Sequence, residues 1–165
     1  MASSARKKAG GITAWRITTF KTKTKAFNGE GAWKYGGRWN QEGYRAVYMA
    51  ESISLCALEI LVHVDPEDMP SDYHCFEVNV PAGIRVERID AGGLPKEWRR
   101  YPPHPKTQQI GTDWLKSGSS VLLSVPSALI PSERIYVLNP EHKDFEKIVI
   151  GDPEPFRFDP RLVTK

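Results

Sequence analysis

The sequence is poor in cysteine and contains no long apolar run. Among its 165 residues, Cys56 and Cys75 are the only cysteines, and both lie in apolar surroundings. We therefore expect reduced core thiols in a cytoplasmic protein rather than a disulfide or a metal pair. No apolar run approaches the roughly 18 residues of a membrane-spanning helix, so we expect no membrane association.

Several motifs of familiar chemistry are also missing. The sequence has no Walker loop, no Gly-x-Gly-x-x-Gly and no Gly-x-Ser-x-Gly, and its four histidines show no paired ligand spacing. These absences argue against a metal site, a resident cofactor and hydrolysis by a Ser or Cys nucleophile.

The length suits one domain with a sizeable core. Residues 1–11 are basic but are followed by no apolar stretch, which predicts a flexible leader rather than a secretory signal. Residues 12–165 are predicted to form the single domain.

Basic charge is concentrated near the start of the chain. Residues 1–50 carry ten Lys/Arg against two acids, whereas the remainder is net acidic. Lys21, Lys23 and Lys25 alternate with threonines, as on one side of an extended segment, which favours a solvated face over a nucleic-acid surface. A nucleic-acid-binding module remains an alternative hypothesis that rests on this charge alone.

Hydrophobic patterning predicts an α+β fold with about six to eight strands and two or three helices. Strands are expected at 12–20, 45–50, 74–80, 120–125 and 134–138, and a closing strand pair at 147–150 and 155–158. We expect a structured loop at 26–41, an irregular insertion at 92–106 with a helical turn at 96–100, and a weak helix at 108–116.

The strongest helix prediction covers residues 52–64. Ser52 is a plausible N-cap, apolar residues follow the 3.6-residue stripe, and Pro66 ends the run. Glu59 interrupts the apolar pattern. Such an acid either lies at the edge of the buried stripe or presents a carboxylate to a cleft.

Residues 35–40 read Tyr-Gly-Gly-Arg-Trp-Asn. Two glycines suit a backbone with positive φ or a close ligand approach, and Arg38 offers a planar fork of donors for phosphate or carboxylate. A hairpin turn with a solvated arginine and a core Trp39 fits these six residues equally well.

The residues that remain as candidates for a functional site are Arg16, Arg38, Tyr48 and Glu59, together with a serine near Pro126. In the strand 12–20, alternation places Arg16 on a small, polar face that suits the floor of a ligand site. Arginines suit a pyrophosphate and a carboxylate suits a ribosyl cation, and NAD presents both.

Six pieces of this sequence resemble the successive motifs of the RES domain, over about residues 14–161. They are Trp15-Arg16, residues 36–40, residues 47–52, Ala57-Leu58-Glu59, Val125-Pro126-Ser127 and residues 138–142. The resemblance implies an ADP-ribosyltransferase-like mixed or antiparallel β core with a few flanking helices. It also implies a toxin of a bacterial toxin–antitoxin pair that consumes NAD+ as substrate by hydrolysis or phosphorolysis, or that ADP-ribosylates a host protein.

The resemblance further assigns roles to single residues. Arg16 and Arg38 would hold the NAD+ phosphates, Tyr48 would pack on the nicotinamide or its ribose, and Glu59 would be the carboxylate at the reacting ribose. Ser127 would be the family's signature hydrogen-bonding serine, with Ser124 as its nearest competitor.

For three other residues a structural role is expected. Trp15 and Trp39 are better read as core aromatics, and Asn139, which precedes a proline, as a turn residue.

The expected partner is an Xre-type antitoxin with a helix-turn-helix region, which would block the active site. A homodimer within a larger complex is compatible with the resemblance, and no direct nucleic-acid binding is expected.

Overall fold

The structure, a computed structural model, describes residues 10–164. Within this range, eight strands form one mixed sheet in the order β4-β5-β6-β2-β1-β3-β7, and β8 also pairs with β3. The β4–β5 pair is parallel and the other pairs are antiparallel. The strands are β1 (Ile12–Thr18), β2 (Val47–Ala50), β3 (Tyr73–Val80), β4 (Val86–Arg88), β5 (Leu122–Pro126), β6 (Arg134–Leu138), β7 (Val149–Ile150) and β8 (Glu154–Phe156).

Five α-helices flank the sheet in the described range, so the α+β prediction is confirmed. They are α1 (Lys23–Ala26), α2 (Glu30–Tyr35), α3 (Ile53–Leu61), α4 (Pro105–Ser117) and α5 (Pro160–Val163). None of them is long and apolar enough to span a lipid bilayer.

Both faces of the sheet are buried, which explains the apolar character of its central strands. One apolar cluster includes Ile17, Cys75 and Val137. The other includes Ala14 and Phe76. Because Ala14 is fully buried, the face of β1 that carries Arg16 begins as a core layer rather than as the open floor predicted from alternation.

Helix α3 begins where it was predicted but ends at Leu61, before the predicted end at residue 64. The Ser52 hydroxyl accepts a hydrogen bond from the Leu55 N–H at 3.1 Å and so caps the first turn. Leu55 and Cys56 face the core. Helix α4 is longer than predicted because the His104 ring caps its start, accepting from the Lys106 N–H, and Gly118 ends it in the left-handed conformation.

Two predictions near the start of the domain were wrong. Residues 26–41 contain α2 and the end of α1 rather than only a loop, since helices of four and six residues are too short to show a period. Lys23 and Lys25 lie in α1, not in an extended segment. Lys21 pairs with Asp72 at 3.0 Å and Lys23 with Asp152 at 3.1 Å, at the surface.

The closing strands also differ from the prediction. β7 and β8 do not pair with each other, because both add to the outer edge of the eight-residue strand β3. Strand β4 was missed, since three residues carry too little pattern to be recognised. Residues 92–106 are irregular as predicted, with turns closed by Trp98 N–H to Pro95 O and by Arg100 N–H to Glu97 O.

Smaller predictions are borne out. Cys56 and Cys75 are free and buried, Trp39 is buried, and Trp15 packs against the core while partly exposed. Asn139 forms a turn in which its Oδ1 accepts from the Glu141 N–H at 3.0 Å. Most of the predicted leader, residues 1–9, lies outside the described residues.

The sheet opens between its two middle strands. β1 pairs with β3 along seven positions, but within the described chain β1 and β2 share one register pair, Trp15↔Ala50. The strands therefore separate beyond this pair, and the separation leaves a cleft.

Candidate active site

The cleft between β1 and β2 has a volume of about 970 Å³. This value lies near the upper end of the range of about 300–1,000 Å³ for small-molecule sites. Arg16, Arg38, Tyr48 and Glu59 all line the cleft. The predicted set comes from four separate chain segments, and the fold brings it to one place.

Ser127 is in direct contact with Glu59. The serine is fully buried, and its hydroxyl donates to Glu59 Oε1 at 3.1 Å. The Ser127 hydroxyl oxygen also accepts from the N–H groups of Leu129 and Ile130, each at 3.1 Å. A hydroxyl has one hydrogen and two lone pairs, so these contacts use its full capacity. Ser127 therefore orients the carboxylate and is not arranged as a nucleophile.

Ser124 has a different environment. Its hydroxyl accepts from Arg134 Nε at 2.9 Å, and its carbonyl accepts from Arg134 Nη2 at 2.8 Å. Arg134 also donates to Ile89 O, which joins β6 to the end of β4. Between the two candidate serines, Ser127 is the one that contacts Glu59.

Arg16 bridges the separated strands. Its Nε donates to Ala26 O at 2.8 Å, and its Nη1 donates to Tyr48 O at 3.0 Å. Its guanidinium also lies 5.9 Å from the Phe27 ring centre. Burial lowers the pKa of Arg16 to about 10. The Arg16 guanidinium thus connects β1 to β2 and to α1 by hydrogen bonds. Arg16 also borders the cleft.

Arg38 is held by the irregular insertion. Its Nη1 donates to Trp98 O at 2.7 Å and to Arg100 O at 2.8 Å. Partial burial lowers its pKa, and the nearby charge of Glu59 opposes this shift. Both hydrogens of Nη1 are used, which leaves the Nε and Nη2 hydrogens of the fork for an anion in the cleft.

The Tyr48 hydroxyl is engaged on both sides. It donates to Asn40 Oδ1 at 2.6 Å and accepts from the Trp39 N–H at 3.1 Å. Burial raises the pKa of Tyr48 well above its usual value, so the hydroxyl stays protonated. Its ring borders the cleft.

The glycine pair is required on two separate grounds. Gly36 has a positive φ of 68°. A side chain on Gly37 would place its Cβ 2.6 Å from Tyr48 Oη and 2.9 Å from Asn40 Oδ1. The Gly37 N–H donates to Asn40 O at 2.9 Å and closes a narrow turn over residues 37–40. The predicted turn therefore forms, and Arg38 within it borders the cleft.

Three further cleft residues were not anticipated. Gln108 of α4 donates from Nε2 to Gly37 O at 3.0 Å. Tyr101 lines the cleft and lies 5.6 Å, between ring centres, from His63 of the loop after α3. Tyr101 falls in the Pro-rich insertion, where no periodic signal places a side chain. In residues 10–164, no three His, Cys, Asp or Glu side chains are grouped as a metal site.

Comparison with known proteins identifies the family. Residues 13–159 match the RES domain, and the chain belongs to this family. It is 39% identical over 149 residues to "Toxin Res" of Yersinia enterocolitica, covering 90% of this chain and 97% of the relative. It is 34% identical over 155 residues to the "Prs ADP-ribosylating toxin" of a Sphingobium species, covering 92% and 96%.

A solved structure has the same fold. The crystal structure of the M. tuberculosis MbcT-MbcA toxin-antitoxin complex contains a chain that superposes with a TM-score of 0.72 at 18% identity. The match covers 89% of this chain and 85% of that one. At this identity the likeness defines the fold alone.

Proposed function

We propose that this RES-domain protein is the toxin of a toxin–antitoxin pair and cleaves the nicotinamide–ribose bond of NAD+. The observation that carries the proposal is the Glu59 carboxylate, held by the buried Ser127 at one side of a cleft that Arg38 also borders. Relatives named as toxins cover nearly the whole chain. The proposed reaction needs a fixed anion and a fixed cation, and the cleft has both.

The chemistry follows from the charges. As the C1′–N bond of NAD+ breaks, its electron pair passes to nicotinamide and positive charge develops on the ribose. A carboxylate fixed beside C1′ stabilises this charge, and Glu59 is the acid that borders the cleft with such an orienting bond. Water or inorganic phosphate then forms the new C1′–O bond. Arg38, and the free donors of Arg16, would bind the pyrophosphate.

Nicotinamide release from NAD+ tests the proposal directly. Purified protein without its partner is incubated with NAD+ in phosphate and in phosphate-free buffer. Turnover in both buffers indicates hydrolysis, and turnover only with phosphate indicates phosphorolysis. No nicotinamide in either buffer would contradict the proposed reaction.

A second candidate is transfer of ADP-ribose to a host protein. It is favoured by the Sphingobium relative, whose name describes an ADP-ribosylating toxin. The same cleft would serve, with a nucleophilic side chain of the target protein in place of water. NAD+ labelled in its adenosine part should then mark a discrete protein band in a lysate, whereas hydrolysis yields free ADP-ribose.

The proposed partner is an antitoxin of the Xre type that blocks the cleft. The similar fold in the MbcT-MbcA toxin-antitoxin complex supports a protein partner. Co-expression with the product of the neighbouring open reading frame should yield a stable complex in which NAD+ turnover is suppressed. We also propose that two copies of this chain form a homodimer within that complex.

A further inference from the structure

The Tyr48 hydroxyl has no capacity left for a substrate hydrogen bond as donor. Its one hydrogen goes to Asn40 Oδ1 at 2.6 Å, and one lone pair accepts from the Trp39 N–H at 3.1 Å. Both partners belong to the turn over residues 37–40. The hydroxyl is therefore directed at the backbone that carries Arg38.

Asn40 is the centre of this arrangement. Its side chain is fully buried. Its Nδ2 donates to Ala32 O at 2.9 Å, Gln41 O at 3.0 Å and Tyr44 O at 3.1 Å. Two hydrogens shared among three carbonyls leave the amide one orientation, because carbonyls only accept. Asn40 therefore fixes the turn to α2, through Ala32, and to the chain that enters β2.

The turn is closed against the same two side chains. An added Cβ at Gly37 would meet both the Tyr48 hydroxyl and Asn40 Oδ1. Gln108 holds the Gly37 carbonyl from the other side. Arg38 comes directly after Gly37 in the chain. The insertion accepts hydrogen bonds only from its Nη1. The base of the Arg38 side chain is thus set by the turn and its tip by the insertion.

We propose that Asn40 and the Tyr48 hydroxyl are positioning residues for Arg38, and that neither contacts the substrate. They set the backbone from which Arg38 presents its remaining donors to the pyrophosphate of NAD+. This inference rests on the proposed function for the identity of the ligand. A misplacement of about 1 Å can cost on the order of a hundredfold, so a displaced turn would weaken the use of NAD+ through the position of Arg38.

A double-mutant cycle between Tyr48→Phe and Arg38→Ala tests the inference. The phenylalanine keeps the ring and removes only the hydroxyl. We expect Tyr48→Phe to lower kcat/KM for NAD+ on the order of tenfold in wild type, mainly through KM. In the Arg38→Ala background, Tyr48→Phe should change kcat/KM by less than about twofold. A change of this size is within the scatter with which independent effects add. An equal loss in both backgrounds would overturn the inference.

Asn40→Ser provides the second arm. It should weaken substrate use at least as much as Tyr48→Phe, and adding Tyr48→Phe to it should cost less than about twofold more. If Asn40→Ser does not fold, the Tyr48→Phe cycle decides alone. Tyr73→Phe is the matched control, since Tyr73 is buried outside the cleft and its hydroxyl donates to Met69 Sδ. Its kcat/KM should equal that of wild type.

Two readouts are independent of catalysis. Amide exchange of Trp39, whose N–H loses its acceptor, should accelerate in Tyr48→Phe and stay slow in Tyr73→Phe. The same cycle is then measured as the Kd for ADP-ribose. If wild type binds ADP-ribose but leaves NAD+ uncleaved, the proposed reaction is wrong and the Kd cycle still decides the positioning role. If wild type neither binds ADP-ribose nor releases nicotinamide from NAD+, both are overturned.

Discussion

Ser127 Oγ donates to Glu59 Oε1 at 3.1 Å, across 68 positions of sequence. Because the serine also accepts two backbone N–H groups of the loop that follows β5, it cannot rotate away from the carboxylate. The bond joins helix α3 to this loop at the edge of the cleft. The Glu59 carboxylate is thereby held in one direction by a group that is itself fixed.

The first prediction compares the two serines. Ser127→Ala should lower the free energy of unfolding by about 1–3 kcal/mol, because two partly buried N–H groups lose their acceptor, and should lower NAD+ turnover severalfold or more. Ser124→Ala should destabilise the fold through Arg134 and leave turnover of the folded protein unchanged. Urea unfolding and nicotinamide release measure both effects. Equal losses of turnover would show that the bond to Glu59 has no role in the reaction.

The second prediction concerns the carboxylate itself. Glu59→Gln should retain the fold and reduce turnover on the order of a hundredfold to a thousandfold, because the amide cannot stabilise a ribosyl cation. Glu67→Gln, at an exposed position in the turn after α3, is the control and should have no effect. Thermal unfolding by circular dichroism shows whether the fold is kept. Loss of structure in Glu59→Gln would indicate a structural role instead.

Much of this site could be predicted from sequence because its motifs are local. Ser52 and the apolar stripe predict α3, and so place Glu59 on a helix, although the helix ends at Leu61 well before Pro66. The contact between Glu59 and Ser127 has no local signal, since it depends on how α3 packs beside the end of β5. The resemblance to a family supplied Ser127, and the structure supplied its partner.

The parts that sequence did not reveal share a physical reason. α1 and β4 owe their conformation to tertiary contacts, because elements of three or four residues are unstable alone. Alternation placed Arg16 on the same face of β1 as Ala14, and that face is core at Ala14 rather than an open floor. Only the separation of β1 from β2 brings Arg16 to a cleft, and a separation leaves no mark in either strand's sequence.

The third prediction addresses the glycine pair. Gly37→Ala forces the Tyr48 hydroxyl and Asn40 to move, since its Cβ would lie 2.6 Å from Tyr48 Oη. We expect a loss of about 1–3 kcal/mol in stability and a rise in the KM for NAD+. Gly93→Ala is the control, because no atom lies within 4 Å of the added Cβ and its φ is not positive. A Gly37→Ala protein with normal KM would show that the turn tolerates displacement.

The fourth prediction separates arginine from positive charge. Arg38 donates to Trp98 O and Arg100 O through Nη1 alone, and in the proposed function its other nitrogens bind the pyrophosphate. A lysine has a single ammonium and cannot serve both sides. Arg38→Lys should therefore raise the KM for NAD+ on the order of tenfold to a hundredfold, since hydrogen bonds to charged groups contribute about 1.5–3 kcal/mol. Arg85→Lys, at the surface, should leave KM unchanged.

The last prediction concerns pH and the buried thiols. Burial, reinforced by Glu154 and Glu77, raises the pKa of Cys75 from 9.0 to about 11, and burial raises that of Cys56 to about 12. Between pH 9 and 11 the folded state therefore holds thiol protons that the unfolded state releases, so the free energy of unfolding falls as the pH rises. Urea unfolding at pH 8, 9, 10 and 11 should show a shallower decline for Cys75→Ala than for wild type, because one such proton is removed. The cavity left by alanine lowers the free energy of unfolding equally at every pH, so it does not change the slope. Parallel curves for Cys75→Ala and wild type would therefore contradict the prediction.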